Sequence, residues 1–183
     1  MHIQVKRIND KVIQYLNKGV IVLDTETTGF SKTNDRIIEF AGVKYIDGKL
    51  ADSVSIMMNP CRSIHPSATK THGITNEMVR DLPTEKEYLS RIAKFLEGQY
   101  YIVGHNVRFD LDFLDAMFNR YGKSFSCSYI DTLQLSREMY PGIGHKLSEM
   151  ADYFGIKSNG YHRALNDVEV TLQLLLKLIE NYK

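Results

Sequence analysis

Two carboxylates, Asp24 and Glu26, follow an apolar stretch that runs from Val20 to Leu23. Such a stretch is typical of a buried β-strand, and side chains two residues apart on a strand point to the same face. Two acids held side by side at the end of a buried strand are costly unless a cation or a proton neutralises them. A bare Asp-x-Glu is more often a strand running out into a polar loop, so the pair predicts a metal site only if more ligands converge on it.

Two further acids and a histidine stand where they could join this pair. Asp110 follows a short strand predicted from Tyr100 to Val103, at the turn into a helix, and open sheets place their ligands at such strand ends. Taken alone, an acid there is more often a helix cap or a dipole partner. Asp167 falls in the first turns of the last predicted helix, and His162 precedes it in the loop or first turn. A histidine in this position is more often simply solvated, so only the whole set is informative.

The four carboxylates and the imidazole form a set with a definite chemical use. Ligands that are all oxygen favour hard cations such as Mg²⁺ or Mn²⁺ over zinc. Two such ions, about 4 Å apart, stabilise the attacking and leaving oxygens when a phosphoryl group is displaced in line. A histidine with an ordinary pKa of about 6.5 can accept the proton of the attacking water. The set therefore predicts two divalent cations and hydrolysis of a phosphodiester bond.

Composition and charge restrict the class of protein. With 183 residues, 43% hydrophobic and 25% charged, the chain has the length and composition of one ordinary globular domain. Because no apolar run approaches the roughly 18 residues that span a membrane, and no hydrophobic signal core is present, a cytoplasmic protein without membrane contact is expected. A net charge of +1 gives no global argument for nucleic-acid binding. Any polyanion must therefore be bound locally.

The segment before the first strand predicts a short helix that ends near Gly19. Its apolar residues recur at helical spacing, at Val5, Ile8, Val12 and Leu16. Residues 1–18 are therefore predicted to form an N-terminal helical extension, and residues 19–183 a single domain.

The remaining pattern predicts a mixed α/β fold with five strands. After the first strand, the predicted strands run from Arg36 to Tyr45, from Leu50 to Met58, from Tyr100 to Val103 and from Ser128 to Asp131. Asp47-Gly48 is a hairpin signal, Thr84 opens a capping box, and Asp131 is interpreted as a helix cap. The other predicted helices begin near Phe109 and run from Leu147 to Phe154 and from Ala164 to Tyr182. Three antiparallel strands followed by alternating helices and strands indicate a mixed sheet flanked by helices.

Three segments resemble, in order and spacing, the motifs of a known family. The runs Asp24-Thr-Glu-Thr-Thr-Gly29, Asn106-x-x-Phe-Asp110 and His162-x-x-x-x-Asp167 are similar to the three exonuclease motifs of the DEDDh, or DnaQ-like, 3′-to-5′ exonucleases. That family has a ribonuclease-H-like fold and includes the proofreading epsilon subunit of bacterial DNA polymerase III. The resemblance extends from about Val20 to about Leu178, nearly the whole chain. A related subclass has Tyr four residues before the last Asp, where this chain has Arg163, so the histidine subclass is the one matched.

The resemblance implies a role for each of the chemically interesting residues. Asp24, Glu26, Asp110 and Asp167 would hold two divalent cations, Mg²⁺ or Mn²⁺, and His162 would be the general base. The implied fold is a ribonuclease-H-like mixed five-stranded sheet, with three antiparallel strands followed by parallel strands and helices on both faces.

Five residues are candidate contacts to the substrate. Thr27 and Thr28 could meet the sugar and phosphate of the terminal nucleotide, and the ring of Phe30 a base, with ordinary loop packing as the alternative for Phe30. His72 lies in a segment that looks like the family segment beside the substrate's 3′ end, with a Gly-containing turn before a short helix as the alternative. Asn106 is expected to fix the turn that presents the third acid.

The resemblance implies a nuclease acting on the 3′ end of single-stranded or frayed DNA, which releases nucleoside 5′-monophosphates in proofreading or repair. An exoribonuclease of the same family is the alternative enzyme. A catalytically silent module that binds nucleic acid or a polymerase is the alternative from another class, and four mutually repelling carboxylates argue against it. A DNA polymerase is a candidate partner by resemblance. Epsilon-type subunits bind it through a tail beyond the catalytic domain, and no such contact is expected of a chain that ends at Lys183.

Overall fold

Six strands form one mixed sheet in the computed structural model, which describes residues 2–158, 160 and 163–182. The strands are β1 (Ile3–Gln4), β2 (Gly19–Thr27), β3 (Ile37–Ile46), β4 (Lys49–Met57), β5 (Tyr101–Gly104) and β6 (Ser128–Asp131). They lie in the order β1-β6-β5-β2-β3-β4. The β2–β3 and β3–β4 pairs are antiparallel, whereas the β2–β5, β5–β6 and β6–β1 pairs are parallel. The predicted α/β class, with antiparallel strands first and parallel strands later, is confirmed.

Eight helices accompany the sheet in the described part of the chain. They are α1 (Asp10–Lys18), α2 (Pro66–His72), α3 (Asn76–Val79), α4 (Glu85–Leu96), α5 (Arg108–Arg120), α6 (Thr132–Met139), α7 (Leu147–Phe154) and α8 (Ala164–Glu180). Within the described residues, none of these helices is both long and apolar enough to cross a membrane.

Side-chain alternation along β2 divides the core into two layers. Val20 and Val22 belong to the layer that also contains residues of α1, α6, α7 and α8. Ile21 and Leu23 belong to the opposite layer, with residues of α4 and α5. Because both faces of β2 are covered, the strand is apolar throughout until its carboxyl-terminal end. The two layers meet at that end, where the acids of β2 stand.

The amino-terminal segment differs from the prediction of a helix alone. Ile3–Gln4 pairs in parallel with β6 at the edge of the sheet and gives a sixth strand where five were predicted. The helix begins at Asp10, behind its N-cap Asn9, so Val5 lies outside it and instead donates a backbone hydrogen bond to Tyr129. A strand of two residues has no alternation to recognise, which is why it was not predicted. The predicted boundary between residues 1–18 and residues 19–183 stays a prediction. Strand β1 lies before that boundary and pairs with β6, which lies after it.

Local sequence signals predicted the turns and caps well. Asp47 and Gly48 both have positive φ, 51° and 73°, which is the backbone of a type I′ hairpin turn between β3 and β4. Thr84 and Glu87 form the predicted capping box at the start of α4. The Asp131 side chain caps α6, a helix that the periodicity of the sequence did not reveal.

Candidate active site

The carboxyl-terminal end of β2 carries the first two acids of the site. By the alternation of the strand, Asp24 and Glu26 point to the face that α8 covers, and Thr25 points to the opposite face. Across the antiparallel β2–β3 pair, Asp24 lies opposite Ala41 and Glu26 opposite Glu39. Ala41 takes little room, so the carboxylate of Asp24 has space on this face, whereas Glu39 brings another acid to it.

Asp167 completes a group of three carboxylates. It is buried in the first turn of α8, the helix that packs on β2 and β3. One oxygen from each of Asp24, Glu26 and Asp167 lies within 4.8 Å of the other two. Because hard divalent cations favour carboxylate oxygens as ligands, the chemistry of this donor set fits a cation of the Mg²⁺ or Mn²⁺ type.

Asp110 approaches the same strand end from the other layer of the protein. It is buried in the first turn of α5, and its Oδ1 accepts hydrogen bonds from the backbone N–H of Thr25 at 2.9 Å and from the Thr25 hydroxyl at 2.7 Å. Thr25 stands between the two acids of β2, so these bonds fix Asp110 beside them. Asp110 lies outside the group of three close carboxylates. After burial, however, its charge is the next largest reason that the pKa of Asp24 is raised.

The turn between β5 and α5 presents Asp110 through unusual backbone geometry. Asn106 has a left-handed φ of 66°, a conformation that asparagine adopts more readily than most residues. Its backbone N–H donates to Asp131 Oδ1 at 2.9 Å, which ties the turn to the end of β6. A Cβ atom at Gly104 would come within 2.7 Å of the Val107 side chain, so the turn depends on glycine there. These contacts support the prediction that Asn106 fixes the turn.

Burial and mutual repulsion disfavour ionisation of the acids. Burial, followed by the charges of Asp167 and Glu39, raises the pKa of Glu26 to about 8. Burial also raises the pKa of Asp110 to about 7, partly offset by the hydrogen bonds that it accepts. The pKa of Asp24 is raised well above its usual range by burial and then by the neighbouring acids. A bound cation would relieve this repulsion, which is a second reason that the residues fit a metal ion.

One acid near the site, Glu39, was missed by the sequence-based prediction. It is 1% exposed, and its carboxylate accepts hydrogen bonds from Arg163 Nη2 to Oε1 at 3.1 Å and from Arg163 Nε to Oε2 at 3.3 Å. The backbone N–H of Ala164 also donates to Oε2 at 3.3 Å. The available signal was a single acid inside the apolar run from Ile37 to Phe40, because a buried strand tolerates such a charge only with a partner.

The loop after β2 carries three of the candidate substrate contacts. The Thr27 hydroxyl donates to a backbone carbonyl two residues later at 2.7 Å, and the Thr28 hydroxyl donates to Asp35 at 2.9 Å. Both hydroxyls therefore hold the loop in shape. Phe30 is 81% exposed, and its ring contacts that of Phe109 edge to face, with 6.5 Å between the centroids. Of the three side chains, Phe30 is the one placed at the surface.

Two histidines were predicted to take part in function. His72 is buried, with Nε2 3.3 Å from the carbonyl oxygen of Thr27 and Nδ1 accepting from the Ile74 backbone N–H at 3.0 Å. These contacts hold α2 against the end of β2, and the role of His72 as a substrate contact stays a prediction. His162 lies outside the described residues, so its role as general base stays a prediction. Its neighbour Arg163 is described and leads directly into α8.

Comparison with known proteins assigns the chain to a family. A sequence model described as exonuclease matches residues 21–175. The DNA polymerase III subunit epsilon of Aquifex aeolicus (strain VF5) is 35% identical over 167 residues, which cover 90% of this chain and 82% of that protein. The chain therefore belongs to the exonuclease family, as the three motifs indicated.

Two other similarities concern size and fold. A PolC-type DNA polymerase III of Caldanaerobacter subterraneus subsp. tengcongensis is 35% identical over 161 residues, which are 87% of this chain and 11% of that polymerase. The chain thus spans only a small part of the length of this relative. The solved structure of exonuclease X in complex with 5′ overhanging duplex DNA matches with a TM-score of 0.72 and 29% identity, over 88% of this chain and 91% of that one. The expected ribonuclease-H-like fold is confirmed.

Proposed function

We propose that this chain is a metal-dependent 3′-to-5′ exonuclease that removes nucleotides from single-stranded or frayed DNA ends, in proofreading or repair. The observation that carries the proposal is the convergence of Asp24, Glu26 and Asp167, with Asp110 fixed beside them, at one strand end. Membership of the exonuclease family supports it, as does the similarity to an epsilon subunit and to a DNA-bound exonuclease X. The same relatives make DNA the proposed substrate and a DNA polymerase the proposed partner.

The proposed reaction is hydrolysis of the last phosphodiester bond. The oxygen of a water molecule forms a bond to phosphorus, and the bond between phosphorus and the 3′ oxygen of the preceding nucleotide breaks. The products are a nucleoside 5′-monophosphate and a strand shortened by one nucleotide with a free 3′ hydroxyl. The water gives up one proton, and the leaving oxygen takes up another.

Four side chains would hold the two cations that we propose, Mg²⁺ or Mn²⁺. Asp24, Glu26 and Asp167 offer oxygens from β2 and α8, and Asp110 offers its second oxygen because Thr25 occupies only Oδ1. When bound, divalent cations supply positive charge that stabilises the attacking and leaving oxygens. The contribution of the chain is to hold these acids on two helices and a central strand, before any substrate arrives.

The proton of the attacking water would pass to His162. A histidine with an ordinary pKa of about 6.5 is largely neutral at pH 7.5 and can accept it. We therefore expect the rate defect of His162→Ala to shrink as the pH rises, because hydroxide then replaces the base. Rates of nucleotide release measured from pH 6 to pH 9.5 provide the check, and a defect of the same size at every pH would exclude this role.

An assay of nucleotide release tests the proposal directly. The wild type should release nucleoside monophosphates from a 3′-labelled DNA oligonucleotide with Mg²⁺, and Asp167→Ala should be more than about 100-fold slower, beyond the range for residues that only support ligands. A DNA and an RNA oligonucleotide of the same sequence, digested side by side, decide the sugar. Equal activity of Asp167→Ala and the wild type would reject the assignment, and faster RNA digestion would make the chain an exoribonuclease.

A further inference from the structure

An ion pair between a buried glutamate and a half-exposed arginine joins the strand next to the ligand strand to the beginning of α8. Glu39, on β3, is 1% exposed, and both of its oxygens are engaged by the guanidinium of Arg163. Oε2 also accepts the backbone N–H of Ala164, the first residue of α8. The carboxylate therefore satisfies a free N–H at the start of the helix and lies where the helix dipole favours negative charge.

This pair stands directly beside the acids of the site. Glu39 is the cross-strand partner of Glu26, so the two side chains share one face of the sheet. Asp167 lies in the first turn of the helix whose beginning Glu39 holds. A shift of the first residues of α8 would move Asp167 relative to β2, because the first turn of a helix moves with its N-terminal residues.

Glu39 lies outside the group of three close carboxylates. Its two oxygens are used by Arg163 and Ala164, whereas the oxygens of Asp24, Glu26 and Asp167 approach one another within 4.8 Å. Arg163 supplies the positive partner for a buried carboxylate that neighbours other carboxylates. The pair thus brings a negative and a positive group together without adding net charge to the site.

We propose that Glu39 is a positioning residue, which uses Arg163 and the Ala164 backbone to hold the start of α8 against β3 and so keeps Asp167 at metal-binding distance from Asp24 and Glu26. The inference deepens the proposed function and rests on it. It assigns to a residue outside the three motifs a role in metal affinity and turnover, with no contact to the substrate.

The test is a double-mutant cycle with Glu39→Gln, Arg163→Gln and the double variant in the full chain. Glutamine keeps the shape of Glu39 and one acceptor oxygen but loses the ion pair. We expect each single variant to need about 10-fold more Mn²⁺ for half-maximal stabilisation against heat. We also expect each to lower kcat by about 10-fold. Both changes are of the size found for groups that orient metal ligands. KM for a DNA oligonucleotide should stay within about 2-fold of the wild type, because neither group touches the substrate.

The double variant and a conservative variant make the test specific. If the two side chains act as one unit, the Mn²⁺ concentration for half-maximal stabilisation and the kcat of the double variant should lie within about 2-fold of those of the more affected single variant. Arg163→Lys keeps the charge and should recover part of the Mn²⁺ affinity that Arg163→Gln loses. Hydrogen exchange of the metal-free protein, measured by mass spectrometry, should be faster at residues 164–168 in Glu39→Gln than in the wild type.

A second Glu–Arg pair with a buried glutamate supplies the matched control. Glu85 and Arg120 form a bidentate pair of the same kind, with N–O distances of 2.8 and 2.7 Å, at the distal end of α5. Arg120 lies ten residues beyond Asp110 on that helix, which is about 15 Å along its axis. Glu85→Gln should leave the Mn²⁺ response and kcat within about 2-fold of the wild type, so any general effect of breaking a buried pair is measured separately.

Each outcome decides the proposal. An unchanged Mn²⁺ response in Glu39→Gln, with an active wild type, would overturn it. Effects of the two single variants that multiply in the double variant would also overturn it, because the two side chains would then act independently. An Arg163→Gln variant that raises KM alone would overturn it as well, because Arg163 would then contact the substrate. If the wild type neither releases nucleotides nor responds to Mn²⁺, the proposed function fails. Exchange at residues 164–168 then decides alone whether Glu39 holds the helix.

Discussion

Two glutamate–arginine pairs in this protein, each with a buried glutamate, have the same chemistry and different surroundings. Glu85 begins α4 and accepts two hydrogen bonds from Arg120, near the end of α5, and a third from the Tyr121 hydroxyl at 3.1 Å. Glu39 accepts from Arg163 at 3.1 and 3.3 Å. The first pair joins two helices in one layer, whereas the second stands next to a group of carboxylates that repel one another.

The difference shows that the surroundings of an ion pair decide what it does. Around Glu85 positive charge prevails, because Arg36 also approaches within 3.9 Å, so the pair serves to join α4 to α5. Around Glu39 the nearest ionisable neighbour on the sheet is Glu26, whose raised pKa of about 8 is caused by burial and then by Asp167 and Glu39. Breaking the first pair should cost stability, and breaking the second should change the site.

The largest stability effect is expected at the Glu85–Arg120 pair. Glu85→Gln should lower the free energy of unfolding by about 2 kcal/mol, less than the cost of breaking a fully buried pair because Arg120 is partly exposed. Urea denaturation of the metal-free protein measures the change, with Arg120→Lys as the milder companion variant. A loss of activity in folded Glu85→Gln would break the proposed contrast between the two pairs.

A second effect concerns the pH dependence of stability, to which the site should contribute. The folded-state pKa of Glu26, about 8, lies above its ordinary value of 4.5, so the folded state holds an extra proton between these values. The stability of the metal-free protein should therefore be fully present below about pH 4.5 as far as this group is concerned and should fall as the pH rises toward 8.

Urea denaturation at pH 5.5 and pH 8 in the presence of a chelator measures this fall. Glu26→Gln should flatten the dependence, because its side chain does not titrate, whereas Glu85→Gln should keep the wild-type slope. A slope that survives Glu26→Gln unchanged would mean that other groups cause it.

The smallest effect is expected at an exposed ion pair. Lys32 and Asp112 lie 3.0 Å apart, and the lysine side chain is 58% exposed. Lys32→Ala should change the free energy of unfolding by less than about 0.5 kcal/mol, because such pairs are screened by solvent. Thermal denaturation at low and high salt checks this value. It gives the loss of unfolding free energy for an exposed ion pair, with which the losses at the two Glu–Arg pairs can be compared. A loss of unfolding free energy as large as that of Glu85→Gln would show that burial does not explain the difference between the Lys32–Asp112 and Glu85–Arg120 pairs.

The parts of the protein that the sequence predicted are those with strong local signals. The apolar run before Asp24, the Asp47-Gly48 turn and the Thr84 capping box each depend on neighbours within a few residues. The four carboxylates were found because their motifs combine residue type, spacing and order. Their grouping in space then follows from the parallel arrangement of β2 and β5 and the position of α8.

The parts that the sequence did not predict depend on distant partners. Arg163 is 124 residues from Glu39 in the chain, so the apolar run around Glu39 indicates that a partner is needed but not which residue it is. The strand at Ile3–Gln4 exists because β6 offers an edge to it, and its two residues have no pattern of their own. The separation of Asp110 from the other three acids depends on the layer in which α5 packs, which periodicity along the helix does not specify.

The wide separation of the four acids along the chain has a consequence during synthesis. Asp24 and Glu26 leave the ribosome early, Asp110 much later, and Asp167 only when α8 begins to emerge. A nascent chain that lacks α8 has neither the third close carboxylate nor the helix start that Glu39 holds. Under the proposed function, a nascent chain therefore cannot hold its cations until α8 has been made.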